Sequence, residues 1–215
     1  MIPQAILFDF DGVLGRTMED NYTAWAHALE NTCGVALGQQ EYFLLEGLSV
    51  HKVAVTLLEK HGRDPQLAQQ MAQAKEDHYR RHNRFAFYPH ARELIQQLVS
   101  KGLPLGLVTG ANEGRLAQSV DSTFLDLFKT IVTGDKVDRP KPDPQPYLRA
   151  AQELDVPPMN CLVVENAPLG IRAAKQANMF CLAVTTTLSA QYLTEADAIV
   201  SDLATVGRTL KKMLS

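Results

Sequence analysis

From Gly102 onward, short apolar runs alternate with segments in which apolar residues recur every three to four positions. The runs are PLGLVT (104–109), TIVTG (130–134), CLVVEN (161–166), FCLAVTT (180–186) and AIVS (198–201). Their nearly continuous apolar character predicts strands buried on both faces, and their separation by helical patterns predicts a parallel sheet. One more run, Ala5 to Phe10, opens the chain. Between Thr17 and about Phe87 no strand pattern occurs, and apolar residues fall at helical spacing instead, as in Tyr22, Trp25, Leu29 and Cys33. The expected architecture is therefore α/β: a Rossmann-like parallel sheet core formed by 1–15 and 88–215, interrupted by a helical insertion at 16–87. A helix is expected from about His90 to Ser100, with Lys101 as its basic last turn and Gly102 as its left-handed cap.

Composition narrows the class. The chain has 215 residues, 46% hydrophobic and 21% charged, enough to bury a sizeable core. Lys and Arg number 21 against 24 Asp and Glu, a formal charge of -3 that leaves no electrostatic footprint for nucleic acid or an anionic membrane. Three cysteines, Cys33, Cys161 and Cys181, lie in apolar surroundings without close pairing. They read as reduced core residues of a cytoplasmic protein. Neither a signal peptide nor a membrane span is expected, because Asp9 and Asp11 interrupt the only early apolar run.

Those two acids raise the chemical question. They follow a strand that should be central, near its carboxyl end, where open α/β sheets place their ligand crevice. Gly12 lets the chain turn there. A lone Asp-x-Asp more often merely starts a loop, but three other strand ends add to it. Thr109 and Gly110 end LGLVTGAN, offering a hydroxyl and backbone N–H groups where a helix N-terminus can receive a phosphate; as a lone residue Thr109 reads as a helix cap. Lys141 stands between Pro140 and Pro142, with Asp143 expected to cap a helix that Pro144 opens. Glu165 and Asn166 end CLVVEN before Pro168 opens another helix, whose end is marked by Asn178 in a left-handed cap. Carboxylate and amide oxygens together suit a hard cation such as Mg2+, and a cation with a lysine and a helix N-terminus suits a phosphoryl group.

DFDGVL, the VTG strand end, Lys141 in RPKPDPQPY and VVENAPLGI resemble the four ordered motifs of the haloacid dehalogenase superfamily, and more narrowly its β-phosphoglucomutase-like phosphatases. The resemblance covers nearly the whole chain and implies that the insertion at 16–87 is a cap. It further implies that Asp9 is the nucleophile of an aspartyl-phosphate mechanism and that Asp11 is its general acid and base. Thr109, with Gly110 and Ala111, would bind phosphoryl oxygens. Lys141 would neutralise charge between nucleophile and phosphate, and Asp9, the Asp11 carbonyl, Glu165 and Asn166 would surround Mg2+. The expected partner is a small phosphorylated metabolite or pyrophosphate, acted on by a monomer.

Departures from the pattern matter too. Arg16 precedes Thr17 where many relatives have an acid, and Asn166 replaces a commoner Asp. Asn21 stands where the phosphohexomutase pattern has a His. In the cap loop LEGLSVHK, Glu46 and Val50 replace a Lys and an Arg that grip a second phosphate. Hydrolysis is therefore expected ahead of mutase activity. Inorganic pyrophosphatase and a non-catalytic phosphate-binding domain remain as further alternatives. Glu46 is read either as an exposed loop acid or as a substrate-side group that makes up the charge lost at Asn166 and favours pyrophosphate. His78 and His82, spaced i, i+4, read as a solvated helix face ahead of a zinc site.

Overall fold

The computed structural model describes residues 2–214. Six parallel strands form one sheet: β1 (Ala5–Phe8), β2 (Leu105–Val108), β3 (Thr130–Val132), β4 (Cys161–Glu165), β5 (Phe180–Val184) and β6 (Ala198–Val200). Their spatial order is β3-β2-β1-β4-β5-β6. The first strand is thus central, with Leu7 paired to Gly106 on one side and to Val163 on the other. The chain leaves β1 toward β2 and β3, then returns beyond β1 to β4, so the order reverses between β1 and β4. A ligand crevice belongs at that point, outside the carboxyl ends of these strands.

Alternation along the strands divides the core in two. Ala5, Leu7, Cys161, Val163, Cys181 and Ala183 face α8 (Gln145–Glu153) and α9 (Pro168–Gln176). Ile6, Phe8, Leu105, Leu107, Leu162 and Val164 face α5 (Ala91–Ser100) and α10 (Leu203–Met213). All of these strand residues are buried, as expected of parallel strands covered on both faces. The edge strand β6 departs from the expectation: Ile199 is 36% exposed, in a strand with only β5 as neighbour.

Between β1 and α5 the chain forms α1 (Met18–Cys33), α2 (Gln39–Phe43), α3 (Val50–Lys60) and α4 (Ala68–His82). Helix α1 packs along α4, and α3 packs on α4. Trp25, Ala28, Leu29, Leu57, Leu58 and Met71 form their buried seam. This helical segment enters and leaves at one place. Arg16 N–H donates to Ala86 O (2.8 Å), Tyr88 N–H donates to Leu14 O (2.9 Å), and Gly15 and Phe87 form an antiparallel bridge. Of the sequence-predicted cysteines, Cys161 and Cys181 are buried and free, whereas Cys33, at the last position of α1, is only half-buried.

The helix at 91–100 ends as its sequence predicts, with Gly102 at φ 77°. Asn178 likewise takes a left-handed conformation, φ 57°, just past α9. Two boundaries shift. The strand expected over Ala5 to Phe10 ends at Phe8, because Val13, Leu14 and Gly15 all turn back to donate their N–H groups to Phe10 O. Helix α8 starts at Gln145 with Pro144 as its cap position, and Asp143 Oδ1 accepts from Gln145 N–H (2.9 Å). Among the described residues no helix is long and apolar enough to cross a membrane.

Candidate active site

Asp9 follows β1 directly, its N–H still continuing the ladder to Val164 O (3.0 Å). Gly12, at φ 88°, then allows the turn that separates the two acids. A Cβ there would lie 2.1 Å from Asn166 Nδ2, so the glycine also permits the β1 and β4 ends to approach. The turn sends the two carboxylates to different cations. Asp9 Oδ1 accepts from Lys141 Nζ (2.6 Å). Asp11 Oδ1 accepts from Thr17 Oγ1 (2.5 Å), and its Oδ2 accepts from Thr109 Oγ1 (3.1 Å) and Arg115 Nη2 (2.8 Å).

Lys141 reaches the crevice from the loop after β3, where the Lys141–Pro142 peptide is cis. Its ammonium donates to Asp9, to Glu165 Oε1 (2.8 Å) and to Val108 O (3.3 Å), satisfying its three hydrogens. Burial works to lower its pKa, but the carboxylates of Asp9 and Glu165 outweigh burial and hold it above the ordinary value. Burial raises the Asp9 pKa well above its ordinary value. Lys141 opposes that rise, while Glu165 and Asp11 add to it.

Glu165 is caged. Its Oε1 also accepts from Tyr147 Oη (2.9 Å), and its Oε2 accepts the N–H groups of Asn166 (2.8 Å) and Ala167 (3.0 Å). A Cβ on Gly170 would fall 1.7 Å from Oε1, so α9 leaves room for this carboxylate only because residue 170 has no side chain. Thr109 Oγ1 accepts from Ala111 N–H (3.0 Å), which fixes the loop after β2, and the cap of α6 (Glu113–Ser119) is Asn112 rather than Thr109. Gly110 lies in the same loop, beside Leu48 of the insertion.

Among the described residues no three acidic, histidine or cysteine side chains converge as a metal-binding group. Asp11 has turned to Thr17 and Arg115, and Glu165 to α9. Oxygen donors nevertheless remain. Asn166 Oδ1 is buried with no hydrogen-bond partner, while its Nδ2 donates to Thr187 Oγ1 (2.9 Å). An orphaned buried carbonyl oxygen beside the excess negative charge of Asp9 and Glu165 fits a hard divalent cation.

Glu46 is neither exposed nor at the Asn166 oxygen. It is half-buried, accepts from Tyr42 Oη (3.0 Å), and lines a cavity of about 20 Å³ with Asn21, Trp25, Lys75, Gly110 and Arg115. Burial and then the Asp11 charge raise its pKa to about 7, against the pull of Arg115 and the Tyr42 hydrogen bond. Because the folded protein holds this proton more tightly than an unfolded chain with the ordinary value of 4.5, the stability it lends is lost as pH rises from about 4.5 to about 7. Glu46→Gln therefore raises the melting temperature above wild type by more at pH 8 than at pH 5. Equal shifts at the two pH values would show that the Glu46 charge carries no such cost.

Several site residues carry no sequence signal. Arg115 bridges Asp11 and Asn21 Oδ1 (3.1 Å), and Lys75 is a buried ammonium on Glu76 Oε1 (2.8 Å). Tyr147, beneath Lys141, and Thr187 complete the set. A chemical residue type inside a helical pattern is the only hint for the two cations. Arg16 is exposed and lies over the Tyr88 ring. His78 and His82 do share a face of α4, and His27 of α1 stacks on His78 with ring centroids 4.1 Å apart.

A family model described as haloacid dehalogenase-like hydrolase matches residues 6–184. The chain is 43% identical over 118 residues to validoxylamine A 7'-phosphate phosphatase of Streptomyces hygroscopicus subsp. limoneus, an alignment covering 54% of this chain and 55% of that protein. It thus spans about half the length of that relative. It is also 28% identical over 192 residues to beta-phosphoglucomutase of Bacillus subtilis, covering 84% of this chain and 83% of that one. The crystal structure of beta-phosphoglucomutase from Clostridium difficile matches with a TM-score of 0.84 over 100% of this chain and 97% of that chain, at 24% identity, a likeness of fold.

Proposed function

The chain belongs to the haloacid dehalogenase-like hydrolases, and on that premise we propose that it is a Mg2+-dependent phosphohydrolase that cleaves small phosphate monoesters through an aspartyl phosphate. The observation that carries this reading is the buried contact of Lys141 with both Asp9 and Glu165 at adjoining strand ends. Lys141 opposes the burial that raises the Asp9 pKa and so favours the charged carboxylate that nucleophilic attack needs. The segment 16–87 acts as a cap over the crevice.

In the first half-reaction an Asp9 oxygen bonds to phosphorus, the ester P–O bond breaks, and Asp11 gives its proton to the departing oxygen. In the second, Asp11 takes a proton from water as the water oxygen bonds to phosphorus. The bond from phosphorus to Asp9 then breaks, releasing inorganic phosphate. Thr109 and the backbone around Gly110 and Ala111 hold the phosphoryl oxygens in line, and Lys141 neutralises charge that builds between nucleophile and phosphate. Asp9, the Asp11 carbonyl and Asn166 would hold Mg2+, with Glu165 joining through water or by exchanging one of its present partners. Bound there, the cation supplies charge neutralisation to the phosphoryl group.

Charge separates this reading from its rivals. The two cations on the leaving-group side are already paired, Lys75 with Glu76 and Arg115 with Asp11, and Glu46 lines the same cavity. A second phosphate, whether in a sugar bisphosphate or in pyrophosphate, would have to take these cations from their carboxylates, which disfavours both rivals. The test is phosphate release from p-nitrophenyl phosphate, pyrophosphate and β-glucose 1-phosphate in Mg2+ buffer. Release from the monoesters is expected. Faster hydrolysis of pyrophosphate would select the pyrophosphatase, isomerised sugar phosphate without free phosphate the mutase, and no turnover the binding domain.

A further inference from the structure

Under the insertion, the 20 Å³ cavity holds about one water, so a leaving group enters only when the helices lift. One residue of the core reaches into it. Arg115, on α6, inserts its guanidinium between α1 and α4, donating from Nη1 to Asn21 and from Nη2 to Asp11 and lying 5.5 Å from the centre of the Tyr79 ring. Every contact is made across at least 36 residues of sequence, and none belongs to the phosphoryl-binding loop itself.

We propose that Arg115 selects the leaving group: its guanidinium binds an oxygen on the carbon next to the esterified one, so the protein prefers monophosphates of neutral, polyhydroxylated alcohols. This rests on the phosphomonoesterase reading above. Asp11 protonates the departing oxygen, and Arg115 Nη2 lies 2.8 Å from Asp11 Oδ2, so the guanidinium sits within one hydrogen bond of the acid that meets the leaving group. In the gauche form, vicinal oxygens on a carbon chain lie about one O–H···O hydrogen-bond length apart. The planar guanidinium carries five N–H donors and can serve Asp11, Asn21 and a substrate oxygen together.

The remaining lining fits the same class. Beyond its bond from Tyr42, Glu46 has lone pairs to spare, and beyond Asp11 and Asn21, Arg115 has N–H groups to spare; hydroxyls can satisfy both. A leaving group with its own anion finds Lys75 and Arg115 already paired with Glu76 and Asp11, beside Glu46. Trp25 and Tyr42 give the cavity aromatic walls against which the C–H face of a polyol can pack.

The experiment compares kcat/KM for D-sorbitol 6-phosphate, which has the neighbouring hydroxyl, with that for ethyl phosphate, which lacks it, in wild type, Arg115→Lys and Arg115→Ala. Wild type should favour the polyol ester by at least about thirtyfold, since a site built to hydrogen-bond a hydroxyl rejects the analogue without it. In Arg115→Ala that ratio should fall at least about tenfold, mainly through a higher KM for the polyol ester. Arg115→Lys should recover only part of it, because an ammonium is a point charge and not a fork; it also carries the test if the alanine variant does not fold. A loss equal for both esters would overturn the proposal and leave Arg115 as a residue that only positions Asp11. A wild-type preference for ethyl phosphate or pyrophosphate would overturn it as well. No release from any ester by folded wild type removes the phosphomonoesterase reading, and the role of Arg115 with it.

Discussion

Asp9→Asn is expected to lower kcat by at least about a thousandfold, about 4 kcal/mol of transition-state stabilisation, while the fold survives. The amide keeps the shape of the side chain at the end of β1 but has no charge with which to attack phosphorus. Its stability consequence is the unusual part. Burial raises the Asp9 pKa, so the ionised form is held at a cost in the folded state that grows as pH rises. Asparagine removes that cost, although Lys141 keeps only Glu165 as a charged partner. The variant should therefore melt at or above the wild-type temperature at neutral pH while being nearly inactive. Circular dichroism and single-turnover phosphate release measure the two halves, and wild-type turnover in folded Asp9→Asn would sink the nucleophile assignment.

Removing divalent cations is expected to have the second large effect. Asn166 Oδ1 is buried without a partner, and Asp9 and Glu165 share one ammonium. A protein dialysed against chelator should lose at least about a hundredfold in kcat/KM, because charge on the transferring phosphoryl group is then neutralised by Lys141 alone. Stability gives an independent readout. A ligand at about a hundred times its Kd adds about 2.7 kcal/mol, which for a chain of this size moves the melting temperature by roughly 5–10 °C. Asn166→Ala should abolish that shift. Identical activity and melting in chelator and in Mg2+ would remove the cation from the account.

What was legible in the sequence follows from where the determinants lie. The strands were readable because a parallel sheet buried on both faces leaves uninterrupted apolar runs, and the helix at 91–100 because Gly102 marks its end. Asp9, Thr109, Glu165 and Asn166 stood out because polar residues at the ends of buried strands are costly without a purpose, and Lys141 because Pro140 and Pro142 flank it. The direction of the Asp11 side chain was not readable. Strand alternation would point it with Asp9, but the turn around Phe10 O ends the strand first and delivers it to Arg115. Arg115 itself lies 104 positions from Asp11 and looks like any helix-surface arginine. Lys75 is similarly hidden in the pattern of α4, because only the packing of that helix on α1 makes its position a buried one. The same holds for the cage of Glu165, which depends on an absent side chain at Gly170.

The paired entry and exit of the helical segment has a consequence for descent. Arg16 and Ala86 are hydrogen-bonded neighbours, so whatever lies between them is attached to the core at one seam. Lengthening, shortening or exchanging the intervening piece changes loop-closure entropy only logarithmically and leaves the register of β1 against β2 and β4 untouched. Recombination at that seam can thus replace Trp25, Glu46 and Lys75 in one event while Asp9, Thr109 and Lys141 stay in place. Arg115 belongs to the half that is kept, so any module grafted there inherits a guanidinium already aimed at its interior.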